Sequence, residues 1–63
     1  MESLKQLRKS NKISQEEMAR TLNISLRAYQ LKEKGESELK LSELIMLADK
    51  FNMNLTDFIS RIV

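Results

Sequence analysis

The chain has no cysteine, no histidine, no proline, no tryptophan and a single glycine in 63 residues. Without cysteine there is no disulfide framework and no thiolate chemistry. Without histidine the commonest general base and the commonest metal ligand are missing. No Gly-rich loop is available to cradle a phosphate, and so short a chain leaves little room for a pocket. The expected protein is therefore not an enzyme and carries no catalytic residue, cofactor or metal. The lack of proline and near lack of glycine also argue against linkers and many-stranded sheets. The longest apolar run, "LIMLA" (Leu44 to Ala48), is too short for a membrane span. The N-terminal "MESLKQLRK" has no signal-peptide core, so a cytoplasmic protein with no membrane partner is expected.

What is present suits one small soluble domain, 1–63, held together by packing alone. Hydrophobic residues are 41% and charged residues 32%, a balance that folds rather than stays disordered. The net charge of +2 is unevenly spread. Met1 to Lys34 holds eight basic and four acidic residues, net +4, whereas Gly35 to Val63 is net −2. A polyanion partner for the first half is one reading. Ordinary variation between solvated helix faces is the other.

Five helices follow from the 3.6-residue period. The first covers Glu2 to Ser10, with Met1, Leu4 and Leu7 on one stripe and Arg8 at its edge. Asn11 and Lys12 end it. Ser14 is an N-cap for the second, and Glu17 three residues on completes a capping box. Met18, Ala19 and Leu22 form the inward face, with Gln15 beside them. Asn23 breaks the chain by tolerating the left-handed conformation. Ser25 then caps a third helix, Leu26 to Glu33, which Lys34 and Gly35 end. A polar loop, "GESELK", leads to a fourth helix from Ser42 to Phe51, with Leu44, Leu47, Ala48 and Phe51 inward. Asn54 caps the fifth, whose stripe is Leu55, Phe58, Ile59 and Ile62.

The two short helices around Asn23 pose the functional question. On a wheel, Ala28, Tyr29 and Lys32 share one side of the third helix, and Lys32 can pack through its methylene stem. Leu26, Arg27, Gln30, Leu31 and Lys34 share the other. That side offers what the major groove demands. Arg can bond guanine in a bidentate way, Gln can bond adenine, and Leu can contact the thymine methyl. Each residue also has a plainer reading. Leu26 and Leu31 could be packed, Arg27 and Gln30 could be solvated, and Gln15 could complete local hydrogen bonds at its helix start. Ile45, Met46 and Val63 lie off the core stripes, as scattered apolar residues or as a dimer patch.

At these residues, "SQEEMARTLNISLRAYQLKEKG" resembles the Cro/repressor type of helix-turn-helix, also called the xenobiotic-response-element family. Its pattern is roughly "SQEELAxxLGVSxxxISxxExG". Ser14, Gln15, Glu16, Glu17, Ala19, Leu22, Ser25, Glu33 and Gly35 match. The resemblance implies an all-α, compact five-helix bundle, a lambda-repressor-like DNA-binding domain with its helix-turn-helix in helices 2 and 3. It implies base contacts from Leu26, Arg27 and Leu31 with Gln30 bordering them, and phosphate contacts from Gln15 and Lys34. It also implies a structural ion pair between Arg8 and Glu33. Leu41, Leu44, Ala48, Leu55 and Phe58 fall where the family places core residues. The sequence departs from the pattern in three respects. Asn23, Asn52 and Lys12 stand in for glycines, Lys32 replaces an apolar residue, and Glu36 and Glu38 occupy a loop that is often basic.

The expected function is sequence-specific binding of double-stranded DNA by a small transcriptional regulator, a repressor of phage or mobile-element type, acting as a homodimer at least on DNA. The alternative is a protein-interaction module on the same fold, an antitoxin or antirepressor that grips a protein partner with its last two helices.

Overall fold

Three helix starts are set by short polar side chains. Ser14 Oγ accepts from the Glu17 N–H at 3.0 Å, Ser25 Oγ from the Ala28 N–H at 3.1 Å, and Asn54 Oδ1 from the Asp57 N–H at 2.8 Å. Each satisfies one of the donors that a helix N-terminus leaves open. The computed structural model describes residues 2–63, with side chains from Leu4 onward; Met1 and its place on the first stripe lie outside the described residues. Among the described residues there are five helices and no strand. They are α1 (Glu2–Ser10), α2 (Gln15–Leu22), α3 (Leu26–Lys34), α4 (Leu41–Lys50) and α5 (Leu55–Ile62). The all-α, five-helix expectation is met.

The helix ends depend on left-handed residues. Asn23 (φ 58°), Asn52 (φ 59°) and Gly35 (φ 85°) turn the chain after α2, α4 and α3. Behind Asn23, the Ile24 N–H reaches back to the Ala19 carbonyl at 3.0 Å, which closes the last turn of α2. This makes the link from α2 to α3 very short. Lys12 also has a positive φ, 57°, with no glycine or asparagine to ease it. Asn11 supports that turn by donating from Nδ2 to the Leu7 carbonyl at 2.8 Å.

The helices pack α1 on α3 and α5, α2 on α3 and α4, and α4 on α5. The centre is filled by Leu4 and Leu7 of α1, Met18, Ala19 and Leu22 of α2, and Tyr29 of α3. Leu47 and Ala48 of α4 and Phe58 and Ile62 of α5 complete it. Phe51 and Phe58 stack with ring centroids 5.9 Å apart. The small Ala19 and Ala48 let helix backbones approach one another, and close packing of this kind gives a short chain its core. The Cα radius of gyration is 10.3 Å.

Four expectations change. First, α4 starts at Leu41 and ends at Lys50, one residue earlier at each end than its stripe suggests. The reason is Glu43, whose Oε1 accepts from the Lys40 N–H at 2.8 Å and pins the start there. Second, α3 runs one residue further, to Lys34. Third, Leu41 is not a core residue. It is 62% exposed at the first position of α4, and Leu39 packs against the core instead. Cβ atoms lean toward a helix N-terminus, so a first-turn side chain projects past the end of the bundle. Fourth, the box at the start of α2 is half made. Ser14 caps, but the Glu17 carboxylate accepts from Lys50 Nζ at 2.6 Å and ties α2 to α4. That pair holds the Glu17 carboxyl below its usual range, mainly through the Lys50 hydrogen bond.

The cost of a left-handed residue bearing a Cβ is about 1 kcal/mol or more. Replacing Lys12 by Gly should therefore stabilise the fold by about 0.5–1 kcal/mol after the entropy cost of glycine is deducted. Urea denaturation of Lys12→Gly measures this, and a lower midpoint than the parent's would contradict it.

Candidate functional site

Glu33 lies in the last turn of α3 and is almost wholly buried. A lone carboxylate there would be costly, so the structure surrounds it with donors. Arg8 of α1 bonds it in a bidentate way, Nε to Oε2 at 2.8 Å and Nη2 to Oε1 at 3.2 Å. The Tyr29 hydroxyl, one turn back on α3, donates to Oε2 at 2.5 Å. Gln15, the first residue of α2, donates from Nε2 to Oε1 at 3.0 Å. Arg8 also donates from Nη1 to the Ile13 carbonyl at 2.9 Å, which holds the segment leading into α2. One carboxylate therefore joins three helices.

The titration behaviour follows from this arrangement. Burial pushes the Glu33 carboxyl upward, but the hydrogen bonds from Arg8, Tyr29 and Gln15 and the charge of Arg8 outweigh it. The net result is a carboxyl below its usual range. The bond to Glu33 raises Arg8 above its ordinary value. Burial first, and then the bond to Glu33, drive the Tyr29 hydroxyl strongly upward.

This network presents one face of α3 outward. Arg27 and Lys34 are exposed, Leu26 is 38% exposed, and Gln30 and Leu31 are half-buried. At 100° per residue, Arg27, Leu31 and Lys34 fall on one stripe, with Leu26 and Gln30 beside it. Gln15 is half-buried and is drawn to this face, since Gln30 Nε2 donates to Gln15 Oε1 at 3.2 Å. Of the residues singled out in the sequence, the structure joins Arg8 to Glu33 and Gln15 to both Glu33 and Gln30. Leu26, Arg27, Leu31 and Lys34 share the outer side of α3 without polar bonds to one another. Ala28 is half-buried, while Tyr29 and Lys32 are turned inward.

A second buried pair backs the face from behind. Lys32 Nζ lies 3.1 Å from Glu43 Oε1 and donates to the Glu38 carbonyl at 2.9 Å. The Lys32 stem thus replaces an apolar side chain, and its head fastens both α4 and the acidic loop to α3. Glu43 is held below the usual carboxylate range. Burial opposes this, and the Lys40 backbone N–H and Lys32 outweigh it. Sequence reasoning missed Glu43 and the hydroxyl role of Tyr29. The i, i+4 spacing of Tyr29 and Glu33 was the available signal for the latter. Among the described residues no group of acidic side chains could hold a metal ion.

Beside the acidic loop is an apolar groove of about 310 Å³, lined chiefly by Leu39, Leu44, Ile59, Ile62 and Val63. Leu41 and Ile45 are exposed on the α4 flank next to Leu44. Met46, 39% exposed, stands about a quarter turn round α4 from Ile45.

A family model described as helix-turn-helix matches residues 4–58. No curated protein and no solved structure matches the chain. Among the described residues no helix is long and apolar enough to cross a membrane.

The lowered Glu33 carboxyl makes stability depend on pH in a stated direction. Between the unfolded value, about 4.3, and the lower folded one, the unfolded chain takes up a proton that the folded chain does not. The stabilisation is therefore complete above that window and is lost as pH falls through it. Glu33→Gln should lower Tm at neutral pH, because Arg8 loses its anionic partner. It should also make the fall of Tm from pH 6 to pH 3 shallower. A melting series that shows the parent's acid slope unchanged would remove Glu33 from the cause of acid unfolding.

Proposed function

Because the chain belongs to the Cro/C1-type helix-turn-helix family of DNA-binding regulators, we propose that it is a sequence-specific repressor of phage or mobile-element type. It acts by occupying a promoter, with α3 in the major groove. The observation that carries this reading is the outer face of α3. There Leu26, Arg27 and Leu31 stand free of the core on a helix braced by Glu33 and Lys32. Arg27 reads a guanine edge, and Leu26 and Leu31 meet base methyls, with Gln30 at their border. Lys34 and Gln15 contact phosphates and set the register without reading sequence. Glu36 and Glu38, both exposed beyond Gly35, disfavour a nearby phosphate. They leave a single copy with a weak hold.

A second copy supplies the remainder. The groove between α4, α5 and the acidic loop, with Leu41 and Ile45 beside it, is the apolar surface on which a homodimer would form. Two copies would then place their α3 helices about 34 Å apart on successive major grooves of a near-palindrome. The same groove supports the second reading, in which an antitoxin or antirepressor grips a protein partner there. Salt separates the two, since phosphate binding releases counterions and weakens steeply as salt rises.

Selection from a random duplex pool at near-physiological salt tests the proposal. An inverted repeat with half-sites about 10–10.5 base pairs apart is expected. A single half-site would remove the dimer, and no enrichment by folded protein would favour the partner-binding module. On the selected duplex, Arg27→Ala should cost about 1–3 kcal/mol and relax preference at one base pair. Lys34→Ala should weaken all sequences alike and reduce the salt slope by about one. If Arg27→Ala left both affinity and preference unchanged, the docking of α3 would be wrong.

A further inference from the structure

Gln30 lies on the margin of the outer face, half-buried, and its amide is already engaged. Its Nε2 donates to Gln15 Oε1 at 3.2 Å, and Gln15 Nε2 donates to Glu33 Oε1 at 3.0 Å. An ionised carboxylate only accepts hydrogen bonds. Glu33, held as an anion by Arg8 and Tyr29, therefore determines which end of the Gln15 amide faces it, the NH₂ end. The Gln15 carbonyl is then the end left for Gln30, and Gln30 must meet it with an N–H. The donor-to-acceptor direction is thus set from the buried carboxylate outward, through Gln15, to the surface of α3.

We propose that Gln30 is a positioning residue for Gln15 rather than a reader of bases. By engaging the Gln15 carbonyl, Gln30 leaves that amide's second N–H as the group it can offer to an anionic oxygen, a DNA phosphate. A free carbonyl in the same place would repel the phosphate. Two anchors, Glu33 and Gln30, hold the amide before DNA arrives, so little side-chain freedom is lost on binding. The inference rests on the DNA-binding reading and deepens it by giving Gln15 and Gln30 a single shared role. It also separates two kinds of residue on one helix. Arg27 and its apolar neighbours carry sequence information, whereas Gln30 carries none and acts through a phosphate.

The test uses the selected duplex, its single-base variants, and the parent with Gln30→Ala, Gln30→Met, Gln15→Ala and the Gln15→Ala/Gln30→Ala double variant. Each Gln30 variant should weaken every duplex by one common factor, about three- to tenfold, the worth of one hydrogen bond. The ranking of the base variants should stay as in the parent. Adding Gln30→Ala to Gln15→Ala should cost little more, because the two act as a unit. A Gln30 variant that changes the ranking at one base pair would make Gln30 a base reader and overturn the proposal. Fully additive losses in the double variant would overturn it as well.

A measurement without DNA keeps the two readings apart. In the free protein the Gln15 side-chain NH₂ resonances should be well dispersed. Gln30→Ala and Gln30→Met should shift them while Tm stays near the parent's, since the Gln15 carbonyl loses its partner and the bond to Glu33 remains. Unchanged Gln15 resonances in both variants would refute the relay even if DNA binding is strong. Retention of the relay in a protein that binds no duplex would instead defeat the DNA reading, and the phosphate role of the two glutamines with it.

Discussion

A buried carboxylate must be matched by donors, and this constraint organises the structure around Glu33. Arg8 from α1, Gln15 from α2 and Tyr29 from α3 all donate to it. Each of those side chains is fixed by that duty, and the angle of α3 against the other two helices is fixed with them. Replacing such a cluster by apolar groups need not cost stability, because desolvation consumes much of the ionic gain. An apolar contact, however, tolerates sliding. A bidentate Arg–Glu pair with a third and a fourth partner does not, since a small displacement leaves a buried polar atom unpaired. Among the described residues no buried side-chain nitrogen or oxygen is left unsatisfied. The network therefore contributes mainly orientation.

The same logic recurs behind α3. Among the described residues the buried set contains four charged ones, Arg8, Lys32, Glu33 and Glu43, and they form two cross-helix pairs. Both pairs include a residue of α3. One attaches that helix to α1, and the other attaches it to α4 and to the loop carrying Glu36 and Glu38. The hydrophobic core holds the five helices together, and the two pairs hold α3 at one setting within it. The outer face is thereby left to residues with no structural obligation, Leu26, Arg27 and Lys34, while Gln30 sits between the two populations. The apolar groove is lined by α4, α5 and the acidic loop itself, and none of Leu26, Arg27 or Leu31 lines it.

Much of this could be read locally. Ser14, Ser25 and Asn54 announce their helix starts, because a short oxygen-bearing side chain ahead of an apolar stripe has one favourable use. Asn23, Asn52 and Gly35 announce three ends for the matching reason, a tolerated positive φ. Where the local signal was weak, the structure shifted the answer. Ser42 is a cap-type residue, yet α4 starts before it, where Glu43 reaches back to the Lys40 N–H. Leu41 falls where the resemblance implies a core residue but is exposed in the first turn of α4. Glu17 has the spacing of a capping box, yet a lysine from α4 offers its carboxylate a stronger partner than a backbone N–H.

The sequence alone determined the five helices, their order and the short turn that makes α2 and α3 a unit, since caps, breakers and the 3.6-residue period act over a few residues. It also displayed the outer face of α3, because a helix wheel follows from the same period. Only the tertiary structure decided which charges are buried together. Arg8 and Glu33, 25 residues apart, Lys32 and Glu43 on different helices, and Gln15 between Glu33 and Gln30 meet through the packing of whole helices. Long-range polar partners are chosen by geometry and by the cost of leaving any of them unpaired, and neither is written at one place in the chain.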